Sequence, residues 1–264
     1  RTPPAGERPE IDRWLLSELN ALIQKVTTEL EAYDPTDAAR AIEAFVDDLS
    51  NWYVRRSRRR FWRGVSESDT DKQSAYYTLY TALVTLAKLL APFTPFVAEE
   101  IYQNLVRSLD PSAPLSVHLA EWPEVTPELL DPALNAETQL VKRVCSLGRA
   151  ARAKAQIKVR QPVAEVLVKP RTAAEEAVIR RNELLVLEEL NAKALRIPAD
   201  EREVVSFSVK PNLPVLGRKY AADLQVIRQG LAAMPPAAIV ELVRRGENVR
   251  VEGFEIEPSE ILLE

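Results

Sequence analysis

The stretch Ser50-Asn51-Trp52-Tyr53-Val54-Arg55-Arg56-Ser57-Arg58-Arg59-Arg60-Phe61-Trp62-Arg63 holds six arginines, two tryptophans, a tyrosine and a phenylalanine. Arginine supplies a permanent charge and a flat fork of donors that fits phosphate. Aromatic rings supply faces on which unstacked bases lie. The chain as a whole is acidic, with a formal charge of −4, so this positive charge is local. The combination predicts a dedicated nucleic-acid surface, with RNA as the ligand and no role for DNA.

On a helical wheel of about 100° per residue the stretch divides into faces. Ile42, Phe45, Val46, Leu49 and Tyr53 fall on one side, toward a core. Asn51, Arg55, Arg58 and Trp62 fall on the opposite side at i, i+4, i+7 and i+11, a single outward row. Arg56 and Arg60 continue the core stripe and are expected to pair with acidic groups of a neighbouring segment or to face another domain. The rival reading is that arginines near a helix C-terminus offset its dipole and the aromatics close the core. Six arginines within nine positions, with no acid among them, exceed what the dipole requires.

A second basic tract runs from Thr138 to Ala164, which contains no Asp or Glu. Lys142, Arg143, Arg149, Arg152, Lys154, Lys158 and Arg160 lie in it. Such a tract reads either as a continuous track for RNA phosphates or as a solvated helix face. Together the two stretches name Asn51, Trp52, Arg55, Arg58, Arg59, Trp62, Arg63, Lys142, Arg149, Arg152, Lys154, Lys158 and Arg160 as the expected RNA contacts.

Other chemistry is not supported by the residues present. A single cysteine, Cys145, and a single histidine, His118, supply neither an intrachain disulfide nor a usual zinc set. The carboxylate pairs Asp47-Asp48 and Glu99-Glu100 are adjacent on helices and point apart. No Gly-rich phosphate loop and no nucleophile elbow can be assembled. No catalytic residue and no metal ligand is assigned, and whether the chain is itself an enzyme stays open. No apolar run of about 18 residues suggests a membrane span, and a cytoplasmic location is expected.

The elements that must position these residues are mostly helical. Apolar spacing predicts helices over about Glu10–Tyr33, Asp37–Phe61, Thr70 to the prolines at 92 and 95, Pro95–Ser108 and Pro132–Ala155. Thr36 or Asp37 is expected to cap the second. Short connections between amphipathic helices argue for an antiparallel bundle. The proline-rich stretch from Asp110 to Pro127 reads as a surface excursion pinned by Trp122. Beyond about Lys158 strands and helices mix, predicting a smaller α/β domain. Its expected strands are Ala164–Val168, Ala194–Ile197, Glu203–Val209 and Asn248–Ile256. Its expected helices are Thr172–Leu190, Ala221–Ala233 and Pro236–Arg245. The domains are therefore residues 1–157, the bundle with the following basic helix, and residues 158–264.

The run from Ser50 to Trp62 resembles the anticodon-binding helix of isoleucyl-tRNA synthetases. Related synthetases for valine, leucine and methionine usually keep only its Asn/Asp-x-Tyr part. Leu90-Ala91-Pro92-Phe93-Thr94-Pro95-Phe96-Val97-Ala98-Glu99-Glu100-Ile101-Tyr102 resembles the next helix pair of the same family. Ser116-Val117-His118-Leu119 with Trp122-Pro123, Lys158-Val159-Arg160-Gln161-Pro162-Val163, Glu189-Leu190-Asn191-Ala192-Lys193 and Lys210-Pro211-Asn212-Leu213-Pro214-Val215-Leu216-Gly217 follow in the family's order. The resemblance spans nearly the whole chain.

It implies a mainly α fold: an antiparallel bundle of the class I synthetase anticodon-binding type, then a small α/β domain. It covers only the C-terminal part of such an enzyme. The motifs His-Ile-Gly-His and Lys-Met-Ser-Lys-Ser and the editing insertion are absent. So is the Cys-rich zinc segment of some bacterial members, which suggests another subtype or a chain cut short. The implied parent attaches isoleucine to its tRNA using ATP and Mg and edits valyl-tRNA, while this part, with no cofactor of its own, grips the anticodon arm. Its implied partners are isoleucine tRNA and the catalytic and editing domains of the parent. By likeness to the methionine enzyme, Asn51 and Arg55 match positions that contact anticodon bases. Lys210, Arg218 and Lys219 are further RNA candidates. The readings left beside this one are a helical module whose arginine surface meets an acidic protein, and the same part of a valine or leucine synthetase.

Overall fold

A computed structural model describes residues 4–62, 69–199, 209–220 and 223–263. Two compact units, Arg1–Arg143 and Val144–Glu264, are distinguished by their internal contacts, and the division falls within one long helix.

In the first unit, α1 spans Glu10–Glu31 and α2 spans Pro35–Asp48. The chain continues without a break through a π-helical turn, Leu49–Val54, into α3, Arg55–Trp62. Helix α4 covers Thr70–Leu90, and α5 covers Pro95–Tyr102 and runs on through a second π turn, Gln103–Arg107. α1 packs against α2 and α4, and α4 packs against α5. The core stripe of α1 is the one its spacing predicts: Leu15, Leu19, Leu22, Ile23 and Val26 are buried, with Trp14. Opposite them lie Ile42, Phe45 and Leu49 of α2 and its continuation, and Ala75, Ala82, Leu86 and Leu89 of α4. Among the described residues no single helix is long and apolar enough to cross a membrane.

The caps differ from expectation by a residue or two. Asp34, not Thr36 or Asp37, caps α2, accepting from the amides of Thr36 and Asp37 at 3.1 and 3.0 Å. Pro35 fits as the first helical residue because its missing N–H is one the helix never uses. Asp69 caps α4 through the Lys72 amide at 3.1 Å. The excursion after α5 is pinned as predicted: Trp122 Nε1 donates to Thr27 Oγ1 at 2.9 Å. Two more ties to α1 follow, Thr126 N–H to Asn20 Oδ1 at 2.7 Å and Asp131 N–H to Ser17 Oγ at 2.8 Å.

Helix α6, Pro132–Lys154, carries the chain into the second unit. There β1, Val166–Leu167, pairs in parallel with β2, Leu195–Arg196. Between them lie α7, Ala173–Arg181, and α8, Glu183–Leu190. The single helix expected over Thr172–Leu190 is broken at Asn182, whose side-chain amide bonds the Val178 carbonyl at 3.0 Å. Such local bonding competes with the helical ladder. Strand β3, Val209–Pro211, pairs antiparallel with β6, Ile261–Leu263. The rest of the strand expected at 203–208 lies outside the described residues, as does the expected start of a helix at Ala221.

Helix α9, Leu213–Lys219, and strand β6 were not legible in the sequence; both are short and without clear periodicity. Helices α10, Leu224–Ala233, and α11, Pro236–Arg244, match expectation from their first described residues onward. Strands β4, Val249–Val251, and β5, Phe254–Ile256, form a hairpin turning at Glu252 and Gly253, both with positive φ. Leu216, Ile227, Leu231, Ile239, Val249, Val251, Ile256 and Ile261 close one core between these helices and strands.

Candidate nucleic-acid interface

The arginine stretch is helical throughout its described length. Asn51, Arg55, Arg58, Arg59 and Trp62 are all exposed, the last to 74%. The outward row predicted from spacing is therefore on the surface. The Arg58 guanidinium lies over the Trp62 ring, 4.4 Å from its centroid. Among the described residues neither Arg58 nor Arg59 has an acidic partner. Arg55 is held along the helix by its Nε, which donates to the Asn51 carbonyl at 2.8 Å. The Asn51 amide donates to Asp47.

The π turn alters the inner face. Its ring closes over one residue more than an α turn, so the buried side takes in an additional residue and both Trp52 and Tyr53 are enclosed. Trp52, expected as an RNA contact, is 5% exposed, and its ring face is occupied by the Arg56 guanidinium at 5.0 Å. It is a core residue and cannot stack a base. Val46, expected in the core, is 39% exposed instead. Arg63 lies outside the described residues.

Arg60 is paired, as the wheel implied. Its Nη1 and Nη2 donate to the two oxygens of Asp12 at 2.8 and 2.6 Å, and its Nε donates to Asp71 at 2.9 Å. The Asp12 side chain is fully buried and also accepts from the Tyr53 hydroxyl at 2.7 Å. Burial works against the Arg60 charge, but the bonds to Asp12 and then to Asp71 outweigh it and hold its pKa above the ordinary arginine value. Burial first, and the Asp12 charge second, push the Tyr53 phenol up. This two-pronged clasp ties α3 to the first turn of α1 and the first turn of α4. Phe61 packs edge-on against Tyr76 of α4, with ring centroids 5.1 Å apart. The helix that carries the exposed row is thereby fixed on its inner side.

The second tract is not a continuous track. Lys142 pairs with Asp48, and burial followed by Asp48 raises the pKa of neighbouring Glu18. Arg149 bonds Glu189 at 3.0 Å. Arg152 is 6% exposed and turned inward, so it is not a phosphate contact. Lys154, Lys158 and Arg160 are exposed and have no acidic partner among the described residues. Of the later candidates, Lys219 bridges Glu257 and Glu260, each at 3.0 Å, and its pKa is raised chiefly by the bond to Glu257. The Arg218 side chain lies outside the described residues. Cys145 is buried, as a small apolar residue would be.

The arrangement offers cations and an indole on one helical ridge, and a second group of cations at the end of α6. Its sequence aligns with isoleucine–tRNA ligases along nearly all its length. It is 49% identical to that of Thermus thermophilus, over 99% of this chain and 25% of the relative. It is 50% identical to that of Dehalococcoides mccartyi strain 195, over 95% of this chain and 24% of the relative. With the ligase of Deinococcus radiodurans the identity is 42%, over 99% and 24%. The chain thus spans about a quarter of the length of the curated relatives it matches. The family model for the anticodon-binding domain of tRNA ligases matches residues 12–168, more than half of the chain and the whole of the arginine helix, and the chain belongs to that family.

Proposed function

We propose that this chain is the anticodon-recognition part of an isoleucine–tRNA ligase and that its ligand is isoleucine tRNA. The carrying observation is the ridge of α3: Arg58 stacked on an exposed Trp62, beside Arg55, Arg59 and Asn51, with the inner face locked by the Arg60–Asp12 clasp. Unpaired anticodon bases stack on ring and guanidinium faces, while the charges hold the neighbouring phosphates. Among the described residues Asn51 Oδ1 accepts no bond, which leaves an acceptor for a base edge. Lys154, Lys158 and Arg160 add phosphate contacts that position the RNA without reading it.

In this reading the remaining three-quarters of the ligase activates isoleucine with ATP and Mg, in the cytoplasm, and this part contributes no catalytic group. The test is binding of an isoleucine tRNA transcript across a salt series. A transcript with an altered anticodon and one with an altered acceptor stem serve as competitors. Affinity falls as salt rises, and the anticodon change costs more than the acceptor change. Equal and negligible binding of all three overturns the reading. Preference for a valine or leucine tRNA overturns the isoleucine assignment alone.

A further inference from the structure

The four residues Lys158–Gln161 form a tight turn, closed by the Gln161 amide on the Lys158 carbonyl at 2.9 Å. Two side chains from elsewhere in the second unit gather its carbonyls. Arg152 Nη2, at the end of α6, donates to the carbonyls of Lys158 at 2.8 Å, Val159 at 3.3 Å, and Gln161. Asn191 Nδ2, just past α8, donates to the carbonyls of Val159 at 3.2 Å and Arg160 at 3.0 Å. Every carbonyl of the turn is thus drawn inward.

What remains for solvent is positive. The amides of Lys158, Val159 and Arg160 bond no acceptor among the described residues. The side chains of Lys154, Lys158 and Arg160 are exposed and lack an acidic partner among them. Unbonded amides with exposed cations beside them favour an anion, because N–H donors to a charged acceptor make the stronger hydrogen bonds.

The supports are themselves fixed. Arg149 bonds Glu189 one turn before Arg152. A Cβ on Gly148 would stand 2.5 Å from Leu190 Cδ1, so a larger residue here would have to displace the buried Leu190 side chain. Asn191 sits in the left-handed region at φ 48°, which aims its amide at the turn. Beyond the turn, Val163 is bonded at both ends: its amide donates to the Asn191 carbonyl at 3.1 Å, and its carbonyl accepts from the Lys193 amide at 3.0 Å. All of the Arg152 contacts are made by Nη2, while its Nε and Nη1 are buried without a partner among the described residues.

We propose that the Lys158–Gln161 turn is a preformed site for an RNA phosphate, and that Arg152 and Asn191 are its positioning residues. The inference rests on the RNA-binding reading above. It predicts a contact that is indifferent to sequence, because phosphates carry none.

The experiment measures binding of the isoleucine transcript and its altered-anticodon counterpart by the chain and its variants across a salt series. The double variant Lys158→Ala/Arg160→Ala loses about tenfold in affinity for both transcripts alike, and its salt slope falls by roughly two. Arg152→Lys keeps the charge, but its ammonium ends one bond short of Nη2, the nitrogen that makes all three carbonyl contacts. It loses affinity similarly, and adds less than about twofold when combined with the double variant, because coupled residues are not additive. Asn191→Gly, which keeps the left-handed backbone at no steric cost, serves if Arg152→Lys does not fold. Hydrogen exchange at the Gln161 amide, the one bonded amide of the turn among the described residues, rises in either single variant.

Unchanged exchange in both overturns the positioning role. Unchanged affinity in the double variant, with the wild type binding normally, overturns the phosphate site alone. Absence of RNA binding by the wild type overturns this inference together with the reading beneath it.

Discussion

The guanidinium of Arg58 lies over the exposed Trp62 ring, 4.4 Å from its centroid, and the two are one helical turn apart on the same outward row. A cation stacked on an indole presents a charge and a broad face together. The pair is solvated on its outer side and bears no burden of the core. Removing either should cost binding and leave the fold intact.

Trp62→Ala should weaken isoleucine-tRNA binding by about 1–3 kcal/mol, the worth of one stacked base. Arg58→Ala should weaken it too and lower the salt slope by roughly one. Both should leave stability within about 0.5 kcal/mol, as exposed substitutions do. The checks are filter or fluorescence binding beside urea unfolding. Melting of the bundle by Arg58→Ala, with affinity of the folded fraction intact, would contradict the assignment of faces.

Asp12→Ala should be far more damaging. The Asp12 carboxylate is fully buried between Arg60 and Tyr53, and its loss leaves a part-buried guanidinium without its main partner. Breaking such a pair costs about 3–5 kcal/mol. A double-mutant cycle with Arg60→Met should show strong coupling, the pair of changes costing less than the sum of the two. Additive losses would mean that the clasp is not a unit.

Phe45→Ala and Leu49→Ala should each destabilise the first unit by about 2–5 kcal/mol, since both side chains are buried. Their effect on RNA binding should track only the unfolded fraction. Val46→Ala, by contrast, should be nearly silent, because Val46 is exposed beside them.

Glu99 supplies a pH dependence. Its carboxylate accepts from the Gln103 amide at 2.8 Å, the Ser116 hydroxyl at 2.8 Å and the Val117 amide at 2.9 Å. The bond from Gln103 first, then those from Val117 and Ser116, overcome a smaller desolvation cost and hold its pKa below the ordinary value. A folded pKa below the unfolded one gives stability that is complete above the unfolded value, about 4.3, and lost as pH falls through the folded one. The gap in melting temperature between wild type and Glu99→Gln should therefore be open at pH 7 and close below about pH 4. A gap that does not narrow as pH falls below about 4 would refute the linkage.

The residues themselves settled a good deal. Apolar recurrence marked the helices of the first unit, because a helix that must bury one face has to repeat its apolar positions. The same arithmetic separated Asn51, Arg55, Arg58 and Trp62 from the core stripe, and gave Arg60 either an acidic neighbour or another domain to face. Three-dimensional packing decided what no spacing carries. The π turn enclosed Trp52 along with Tyr53, since a change of helical pitch is set by tertiary packing, here the bonds of the Tyr53 hydroxyl to Asp12 of α1 and the Ala75 carbonyl of α4, and not by order in the chain. Which acids answer which bases was equally hidden: Asp12 and Arg60 stand far apart in sequence, as do Lys142 and Asp48. Arg152 shows the limit most plainly. It reads like any basic residue in an acid-free tract, and only the fold turns its charge inward onto peptide carbonyls, because a guanidinium N–H bonds a backbone carbonyl as readily as a phosphate oxygen.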